Sequence, residues 1–339
     1  MIVLGIESTA HTFGVGIVTD ERENFILADV RVKYVPERGG IHPREASRLF
    51  AERGPEAVAR ALREAGVGIR DIDAIAVALG PGMGPCLRVG ATIARMLASY
   101  YSKPLVPVNH AVAHIEIGLK ITGAQDPVVV YLSGGNTAVL AFVKGRYRVF
   151  GETLDIALGN LLDTFAREVG LGPPYVVEGM HVVDRCAATG RDFVDLPYVV
   201  RGQDVAFSGL LTAAIRAYRR LAPRGKGGDV CLSFREVAYG SILEIAARCL
   251  AQTGKREVLL VGGVAASPIL RDKLRAFSEF YGVKMHVVPP KYAVDNGVMI
   301  AWTGLLAFRC GITIPVEDAV VRQRWRVDEV EVVWRSRGC

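Results

Sequence analysis

The sequence lacks the features that mark several common protein classes. It has no apolar run of the roughly 20 residues that a membrane-spanning helix needs, and its first residues lack the basic segment of a secretory signal peptide. Half of its 339 residues are hydrophobic and 22% are charged, which excludes a disordered chain. We therefore expect a globular, cytoplasmic protein without membrane association, long enough for two domains.

Cysteine is scarce and scattered. The six residues form no CxxC pair, which argues against a zinc ribbon or a thioredoxin motif. Most have apolar neighbours in the sequence, so we predict buried, reduced cysteines of a cytosolic protein. These cysteines are Cys86, Cys186, Cys231, Cys249, Cys310 and Cys339.

The chain is mildly basic, with a net charge of +6 and a pI of about 9.0. Arginine greatly outnumbers lysine, and its planar fork suits phosphate. Two interpretations stay open, namely nucleic-acid contacts or a solvated face of ion pairs. The local clusters are Arg216, Arg219, Arg220 and Arg224, and then Arg322, Arg324 and Arg326.

The apolar pattern predicts strands that alternate with helices, hence an α/β fold. Two segments, VLGIESTAHTFGVGIV and VVVYLSGGNTAVLAFV, share a strand, a polar turn with glycine or hydroxyl side chains, and a second strand. Because a third strand follows each, we expect an internal repeat of two similar domains that face each other across a nucleotide cleft. We assign residues 1–122 and 123–310 to these domains and 311–339 to a C-terminal tail that packs back on them.

A histidine pair is the leading candidate for a metal site. His110 and His114, in VNHAVAHIE, are four residues apart and project from one face of a predicted helix. The spacing also arises by chance, and a site needs further ligands, for which Asp295 and the phenol of Tyr131 are candidates. These donors suit Fe(II) or Zn(II) better than Mg(II). Ala111 follows His110, so the glutamate of the metalloprotease HExxH motif is missing.

Two glycine segments are candidates for phosphate or nucleotide binding. The loop from Ser133 to Thr137 has glycines that let a ligand approach the backbone, and Asn136 adds donors. Gly262 and Gly263 end a predicted strand ahead of a helix, where nucleotides bind in open α/β folds. The alternative for each segment is an ordinary turn, because glycine and asparagine are common in tight turns.

Asp163 lies in GETLDIALGNLLDTFAREVGL, at a spacing that could face a cleft. It could accept hydrogen bonds from ribose hydroxyls or cap a helix. Arg167 follows four residues later and is an alternative ion-pair partner for it.

Taken in order, a set of motifs resembles the TsaD/Kae/Gcp family of the sugar-kinase/Hsp70/actin-like (ASKHA) superfamily, over roughly residues 1 to 335. The tail and GGIHPREAS resemble the archaeal and eukaryotic branch. The motifs are GIESTAHTFGVGIV, GGIHPREAS, GPGMGPCLRVG, NHAVAHIE, YLSGGNT, GETLDIALGNLLDTFARE, AFSGLLTAA, GGVAAS and DNGVMIA.

The resemblance implies transfer of a threonylcarbamoyl group from threonylcarbamoyl-AMP to N6 of the adenosine 3′ of the anticodon, in tRNAs that read ANN codons. It implies an archaeal KEOPS complex with a small atypical kinase and small accessory or dimerisation subunits. It also implies an ATP- or AMP-type nucleotide and one divalent metal, Fe(II) in preference to Zn(II).

The site residues implied by the resemblance fall into two groups. The metal ligands are His110, His114, Tyr131 and Asp295. Residues at the nucleotide and substrate site are Tyr131, Leu132, Ser133, Gly134, Gly135, Asp163 and Glu178, to which the glycine segments add Asn136, Gly262, Gly263 and Ser267.

Two departures from the family pattern fall in the nucleotide pocket. GLGPPYVVE is about two residues shorter than the family's stretch, and Ser267 stands where the family generally has Asn. Glu7 and His11, in the first turn, are candidates for proton handling. A small-molecule kinase or carbamoyl transferase and a non-catalytic nucleotide-binding scaffold stay open as alternative functions.

Overall fold

The structure, a computed structural model, describes residues 1–35, 41–173, 175–336 and 338–339. The two glycines of GGIHPREAS and the second proline of GLGPPYVVE lie outside the described residues. Every helix among the described residues is too short or too polar to cross a membrane.

The strands agree with the apolar runs of the sequence. They are β1 (Ile2–Glu7), β2 (Thr12–Thr19), β3 (Ile26–Lys33), β4 (Ala74–Gly80), β5 (Leu105–Asn109), β6 (Val128–Leu132), β7 (Thr137–Val143), β8 (Arg146–Glu152), β9 (Val176–Val177), β10 (Met180–His181), β11 (Val200–Arg201), β12 (Asp204–Val205), β13 (Glu257–Val261) and β14 (Lys284–Val287).

The α-helices begin and end largely at glycine, proline and polar capping residues. They are α1 (Pro43–Ala65), α2 (Gly84–Tyr101), α3 (His110–Thr122), α4 (Leu158–Glu168), α5 (Val182–Ala187), α6 (Ser208–Leu221), α7 (Gly227–Thr253), α8 (Pro268–Tyr281), α9 (Pro290–Ala293), α10 (Gly297–Arg309) and α11 (Val333–Ser336).

Two five-stranded sheets repeat one topology. The first has the order β3-β2-β1-β4-β5, and the second, taken from its other edge, has the equivalent order β8-β7-β6-β13-β14. In each sheet the first strand pairs antiparallel with the strand after it and parallel with a later strand that follows one or more helices. The predicted α/β repeat is therefore confirmed within each sheet.

The chain divides into two compact units. The first comprises Met1–Lys120, Val143–Tyr147 and Val294–Cys339, and the second comprises Ile121–Phe142 and Arg148–Ala293. The domain boundary expected between residues 122 and 123 stays a prediction. Residues 294–310, which we had assigned to the second domain, group with the first unit because α10 packs against β1 and β2.

Glycines allow α10 to lie directly on the first sheet. A Cβ atom on Gly5 would lie 2.2 Å from the backbone nitrogen of Ala301, and one on Gly16 would lie 2.3 Å from that of Val298. Any side chain at these two positions would push the helix away from β1 and β2. The segment that precedes α10 is thereby fixed near the end of β1.

Four of the six cysteines form disulfide bonds, so the prediction of reduced cysteines is wrong for them. Cys186 on α5 is bonded to Cys231 on α7, and Cys310, just after α10, is bonded to Cys339. Their separations of 45 and 29 residues carry no motif, so only the packing of α5 on α7 and the return of the tail bring them together. Cys86 and Cys249 are free and buried, as predicted.

Candidate metal centre and substrate-binding segments

The histidine helix α3 starts directly after β5, and Asn109 fixes its first turn. The Asn109 Oδ1 accepts hydrogen bonds from the backbone nitrogens of Ala111 and Val112 at 3.0 and 3.2 Å. This is the geometry of an N-cap, which satisfies donors that a helix start would otherwise leave unpaired. The Asn109 Nδ2 donates to the carbonyl of Trp325 in the tail at 3.0 Å. His110 and His114 therefore project from an anchored helix end.

Asp295, the predicted third ligand, lies beside the two histidines. Its Oδ1 lies 3.4 Å from Nε2 of His114 and 3.7 Å from Nε2 of His110. One ligand atom from each of the three residues lies within 4.8 Å of the others. Two imidazole nitrogens and a carboxylate are ligands typical of Zn or non-haem Fe(II) centres. The cluster could therefore hold a divalent metal ion.

Glu7 supports this cluster through a hydrogen bond with His110. Its fully buried carboxylate accepts a hydrogen bond from Nδ1 of His110 at 2.9 Å, and its other oxygen accepts from the Thr9 backbone nitrogen at 2.6 Å and from the Thr9 hydroxyl. When His110 is neutral, a proton on Nδ1 leaves the Nε2 lone pair directed away from Glu7 and towards Asp295. Such a carboxylate fixes the orientation of a metal-binding imidazole.

The side chain of His11, in the turn after β1, lies on the solvent-exposed side of the cluster. Its Nδ1 lies 4.0 Å from Oδ2 of Asp295, and its side chain is 45% exposed. Of the two residues expected to handle protons, Glu7 is thus enclosed and engaged with His110, while His11 reaches solvent beside the cluster.

The pKa values of the cluster are displaced in opposite directions. Burial disfavours a charged imidazole at His110, but the adjacent Glu7 carboxylate outweighs it and raises the pKa of His110 to about 9. Burial lowers the pKa of His114. Burial opposes ionisation of Asp295 as well, yet its hydrogen bond with His114 and the nearby histidine charges hold its pKa below the usual range.

Tyr131, the fourth predicted ligand, lies in the second unit at the end of β6. It pairs with Val261 of β13 across the parallel strands, and its side chain is buried. Its role as a ligand stays a prediction.

The SGGN turn joins β6 to β7 in the second unit. The backbone nitrogen of Ser133 donates to the carbonyl of Asn136 at 2.8 Å, and the hydroxyl of Ser133 accepts from the Asn136 nitrogen at 3.0 Å. Gly134 and Gly135 are exposed at the tip. The turn therefore presents two glycine backbones to solvent, a form suited to anions.

The N-terminus of α4 packs against this turn. Gly159 donates from its backbone nitrogen to the carbonyl of Ser133 at 3.3 Å, and Leu158 donates to the Thr137 hydroxyl at 2.8 Å. A Cβ atom on Gly159 would lie 2.8 Å from Cα of Gly134, so only glycine allows this approach. The turn and the helix start form one local unit, with the positive end of the helix dipole beside the glycines.

Gly262 and Gly263 follow β13 on the same edge of the second sheet. Gly262 has φ +91°, and a Cβ atom on it would lie 2.3 Å from the carbonyl oxygen of Leu132. Both the backbone conformation and the space require glycine there. Since β6 and β13 are parallel neighbours, Leu132 and Gly262 meet at their carboxyl ends, the position where ligands bind in such sheets.

Asp163 pairs with His181 instead of Arg167. Nε2 of His181 lies 3.1 Å from Oδ1 of Asp163, while Nδ1 of His181 accepts from the Val183 nitrogen and caps α5. Nε2 must therefore donate to Asp163. Arg167 lies 4.0 Å from Glu168.

Glu178 is at the tip of the β9–β10 hairpin. Its φ of +52° and that of Gly179, +77°, are typical of a tight two-residue hairpin turn. Its side chain is 84% exposed and lies 3.2 Å from Arg185.

The comparisons with known proteins agree on one family. A family profile described as tRNA N6-adenosine threonylcarbamoyltransferase (TsaD) matches residues 25–302. A relative of that name from Hyperthermus butylicus is 62% identical over 333 residues, which cover 98% of this chain and 92% of the relative. Another, from Aeropyrum pernix, is 58% identical over 334 residues, which cover 98% of this chain and 95% of the relative. The chain belongs to the TsaD family.

Solved structures of low identity share its fold. HypF from T. kodakarensis has a TM-score of 0.63 and 16% identity, over 91% of this chain and 48% of that chain. The ROK hexokinase from Thermus thermophilus has a TM-score of 0.52 and 18% identity, over 92% of this chain and all of that chain. These likenesses confirm the predicted ASKHA-type fold of this TsaD family member.

Ser267, one of the two departures from the TsaD pattern, has structural partners within the second unit. Its hydroxyl accepts from the Leu270 nitrogen at 3.3 Å, which caps α8, and donates to Asp184 at 3.1 Å. Asp184 is buried, and burial raises its pKa. A serine therefore satisfies both the helix end and a buried carboxylate at this position.

Sequence reasoning missed three residues of these TsaD segments. Thr9 and Asn109 hold Glu7 and the start of α3, and His181 holds Asp163. For Asn109 a signal was available, because asparagine between a strand and a helix is a common N-cap. Thr9 and His181 act through contacts that the sequence pattern does not encode.

Proposed function

We propose that this chain transfers the threonylcarbamoyl group of threonylcarbamoyl-AMP to N6 of the adenosine 3′ of the anticodon, in tRNAs that read ANN codons. Membership of the TsaD family over most of the chain supports this proposal. The observation that carries it is the cluster of His110, His114 and Asp295 above the buried Glu7, because these are the positions where the family resemblance expects a metal.

The cluster would hold one divalent ion, Fe(II) in preference to Zn(II), with Tyr131 as a further oxygen ligand. When bound, the ion would supply Lewis-acid polarisation of a carbonyl oxygen. Glu7 keeps the Nε2 of His110 available for it, and Asp295 supplies the negative charge that two neutral imidazoles lack.

The second unit would bind the adenylate. We assign its phosphate to the backbone amides of the SGGN turn and its nucleoside to the edge formed by Gly262, Gly263 and Ser267. Asp163, oriented by His181, would accept hydrogen bonds from ribose hydroxyls. We assign Glu178 to the same nucleotide site. The same segments would take an ATP- or AMP-type nucleotide.

The reaction forms a bond between the adenosine N6 and the carbamoyl carbon and breaks the bond between that carbon and the phosphate oxygen of AMP. AMP leaves with the electron pair and needs little protonation. The N6 amine must lose a proton, and His11 is the acceptor we propose, because it is exposed while Glu7 is buried and already bonded to His110. Positioning of the weak amine nucleophile should supply much of the rate.

The partners we propose are tRNA and, in the cytoplasm, the small atypical kinase and accessory subunits of a KEOPS complex. An anticodon-loop base is single-stranded and can enter a pocket without opening of a duplex.

The test is incubation of the full chain, alone and with these subunits, with threonylcarbamoyl-AMP and a tRNA transcript, followed by mass spectrometry of the nucleosides. We expect a threonylcarbamoyl mass on adenosine, and none in a transcript with guanosine at the target position. The control variant is His181→Ala, which removes the partner of Asp163 and should weaken use of the adenylate without loss of bound metal.

No product with folded subunits and intact adenylate would contradict the proposal. In that case, phosphoryl or carbamoyl transfer to a small molecule would be the next activity to assay.

A further inference from the structure

Residues 206–228, called here the α6 basic segment, carry cations without carboxylates. The segment includes α6 and the turn that follows it, and it contains no Asp or Glu. All its cationic side chains are exposed. They are Arg216, Arg219, Arg220, Arg224 and Lys226.

Most of these arginines have no carboxylate partner. Among the described residues, Arg219 lies 3.5 Å from Glu168, whereas Arg216, Arg220 and Arg224 make no ion pair. Like charges four residues apart on a helix repel each other and destabilise it. Three neighbouring guanidinium groups without carboxylate partners are therefore unfavourable unless a ligand neutralises them.

Helix α1 shows the contrasting pattern in the same chain. Three of its five exposed arginines pair with glutamates three or four residues along the helix, at distances from 3.0 to 3.4 Å. The pairs are Arg48 with Glu52, Arg53 with Glu56 and Arg60 with Glu64. Most of the arginines of α1 are therefore neutralised within the helix, whereas only one of the four in the α6 basic segment has a carboxylate partner among the described residues.

Two of the three arginines in the tail cluster are neutralised as well. Arg322 lies 2.7 Å from Glu329, and Arg326 lies 3.1 Å from Asp328. Of the two arginine clusters that the sequence contains, the α6 basic segment is thus the one that keeps most of its arginines unpaired among the described residues.

The arginines are presented by a fixed helix. Arg216, Arg219 and Arg220 are spaced by three and four residues and share one face of α6. The opposite face is buried and packs against α4 and α7. The carboxylate of Asp155 accepts from the backbone nitrogens of Phe207 and Ser208 at 2.8 and 2.9 Å, which holds the start of the helix.

A phosphate backbone fits this surface better than an acidic protein. Protein interfaces usually have an apolar centre with aromatic anchors. None of the large hydrophobic side chains that are exposed among the described residues belongs to the α6 basic segment. Guanidinium groups bind phosphate oxygens through two parallel hydrogen bonds, and they need no apolar centre to do so.

We propose that the α6 basic segment is a docking surface for the phosphate backbone of tRNA. It binds independently of base sequence and outside the pocket for the acceptor adenosine, so it contributes affinity and orientation but no chemistry. This inference rests on the proposed function for the identity of the RNA.

The test compares two triple variants of the full chain. One is Arg216→Ala, Arg220→Ala and Arg224→Ala, and the matched control is Arg48→Ala, Arg53→Ala and Arg60→Ala, which removes the same charge from α1. The Kd for a tRNA transcript is measured from about 50 to about 200 mM salt, the range over which phosphate contacts are strongly screened. Thermal melting confirms that both variants are folded.

We expect the α6 variant to bind tRNA about tenfold or more weakly and to lower the slope of log Kd against log salt by about two to three. The control should match the wild type. In the modification assay the α6 variant should raise the KM for tRNA and keep kcat, because none of its residues touches the reacting atoms.

Equal loss in both variants, or no loss in the α6 variant, would overturn the inference. Unchanged tRNA binding with lost association of a KEOPS subunit would overturn it too and assign the surface to a protein. Failure of the proposed function is separable, because a wild type that binds tRNA through α6 but modifies no adenosine would leave the docking surface intact.

Discussion

The two sheets of the molecule share a strand order but use the turn after their first strand in opposite ways. In the first sheet, Glu7 and Thr9 are buried, and Glu7 bonds the imidazole of His110. In the second sheet, Gly134 and Gly135 are exposed at the tip of the turn. One copy of the motif thus orients side chains that could bind a metal, while the other presents backbone amides.

The difference shows how a repeated fold acquires two chemistries. A buried carboxylate can fix an imidazole only where the turn is enclosed, and exposed amides can meet a phosphate only where it is open. The strands are the same framework in both sheets, so the specialisation lies in a few turn residues. A substitution in one unit can therefore be compared with a matched substitution in the other.

Loss of His114 should have the largest effect. His114→Ala removes one imidazole of the cluster, and metal affinity should fall by more than the roughly 10- to 100-fold that an outer partner of a ligand contributes. Metal titration of the purified chain measures it. His181→Ala is the control in the second unit, and a similar loss of metal affinity there would break the comparison.

Glu7→Gln should have the next largest effect. The variant keeps the shape of the side chain but removes the charge that orients His110, so metal affinity should fall by about 10- to 100-fold. The counterpart in the second sheet, Ser133→Ala, should leave metal affinity unchanged. Equal affinity in wild type and Glu7→Gln would show that the buried carboxylate has no part in the metal centre.

The pH dependence of metal binding tests whether Glu7 sets the pKa of His110. Since Glu7 raises the pKa of His110 to about 9, the ion must displace a proton below that pH. Apparent affinity should therefore rise with pH, by about tenfold per unit for one proton, and level off near pH 9. In Glu7→Gln the plateau should begin at lower pH, and an unchanged profile would contradict this assignment.

The raised pKa of His110 also affects the stability of the metal-free chain. A raised pKa in the folded state means that the pair of Glu7 with protonated His110 stabilises the fold below about pH 6.5, and that this stabilisation is lost as pH rises through about 9. Melting of the metal-free chain across this range measures it, and the bound metal should remove the dependence.

Gly159→Ala changes the second unit alone. The added Cβ would meet the backbone of Gly134 at 2.8 Å, so α4 must shift away from the turn, at a cost of about 1–3 kcal/mol in the free energy of unfolding. Nucleotide binding should weaken, while metal binding should not. Gly209→Ala is the matched control, because a Cβ there has no atom within 4 Å.

Asn109→Ala should have the smallest effect. Loss of the N-cap of α3 should cost about 1 kcal/mol, read as a lower melting temperature, with a modest loss of metal affinity. Asn109→Asp keeps the capping oxygen but loses the donor to Trp325, which separates the cap from the contact with the tail. An unchanged melting temperature in Asn109→Ala would show that the helix start does not depend on it.

Much of the fold was accessible from sequence, because apolar periodicity and glycine turns are local signals. The repeat and the strands follow from them. The pairing of Asp295 with His110 and His114 was expected from the family resemblance and not from a local pattern. The disulfides, the partner of Asp163 and the grouping of residues 294–310 depend on contacts between distant segments, which local patterns do not encode. Glu7 was identified as a site residue, but its burial, which decides its role, was visible only in the structure.

The most direct test of the account joins metal content to tRNA modification in one series. The chain is stripped with a chelator, reloaded with Fe(II) or Zn(II), and assayed with threonylcarbamoyl-AMP, tRNA and the proposed subunits, in wild type and His114→Ala. We expect about one ion per wild-type chain, modified adenosine in proportion to bound metal, and neither in the variant. Full modification by the metal-free wild type, or by a folded His114→Ala chain, would contradict the account.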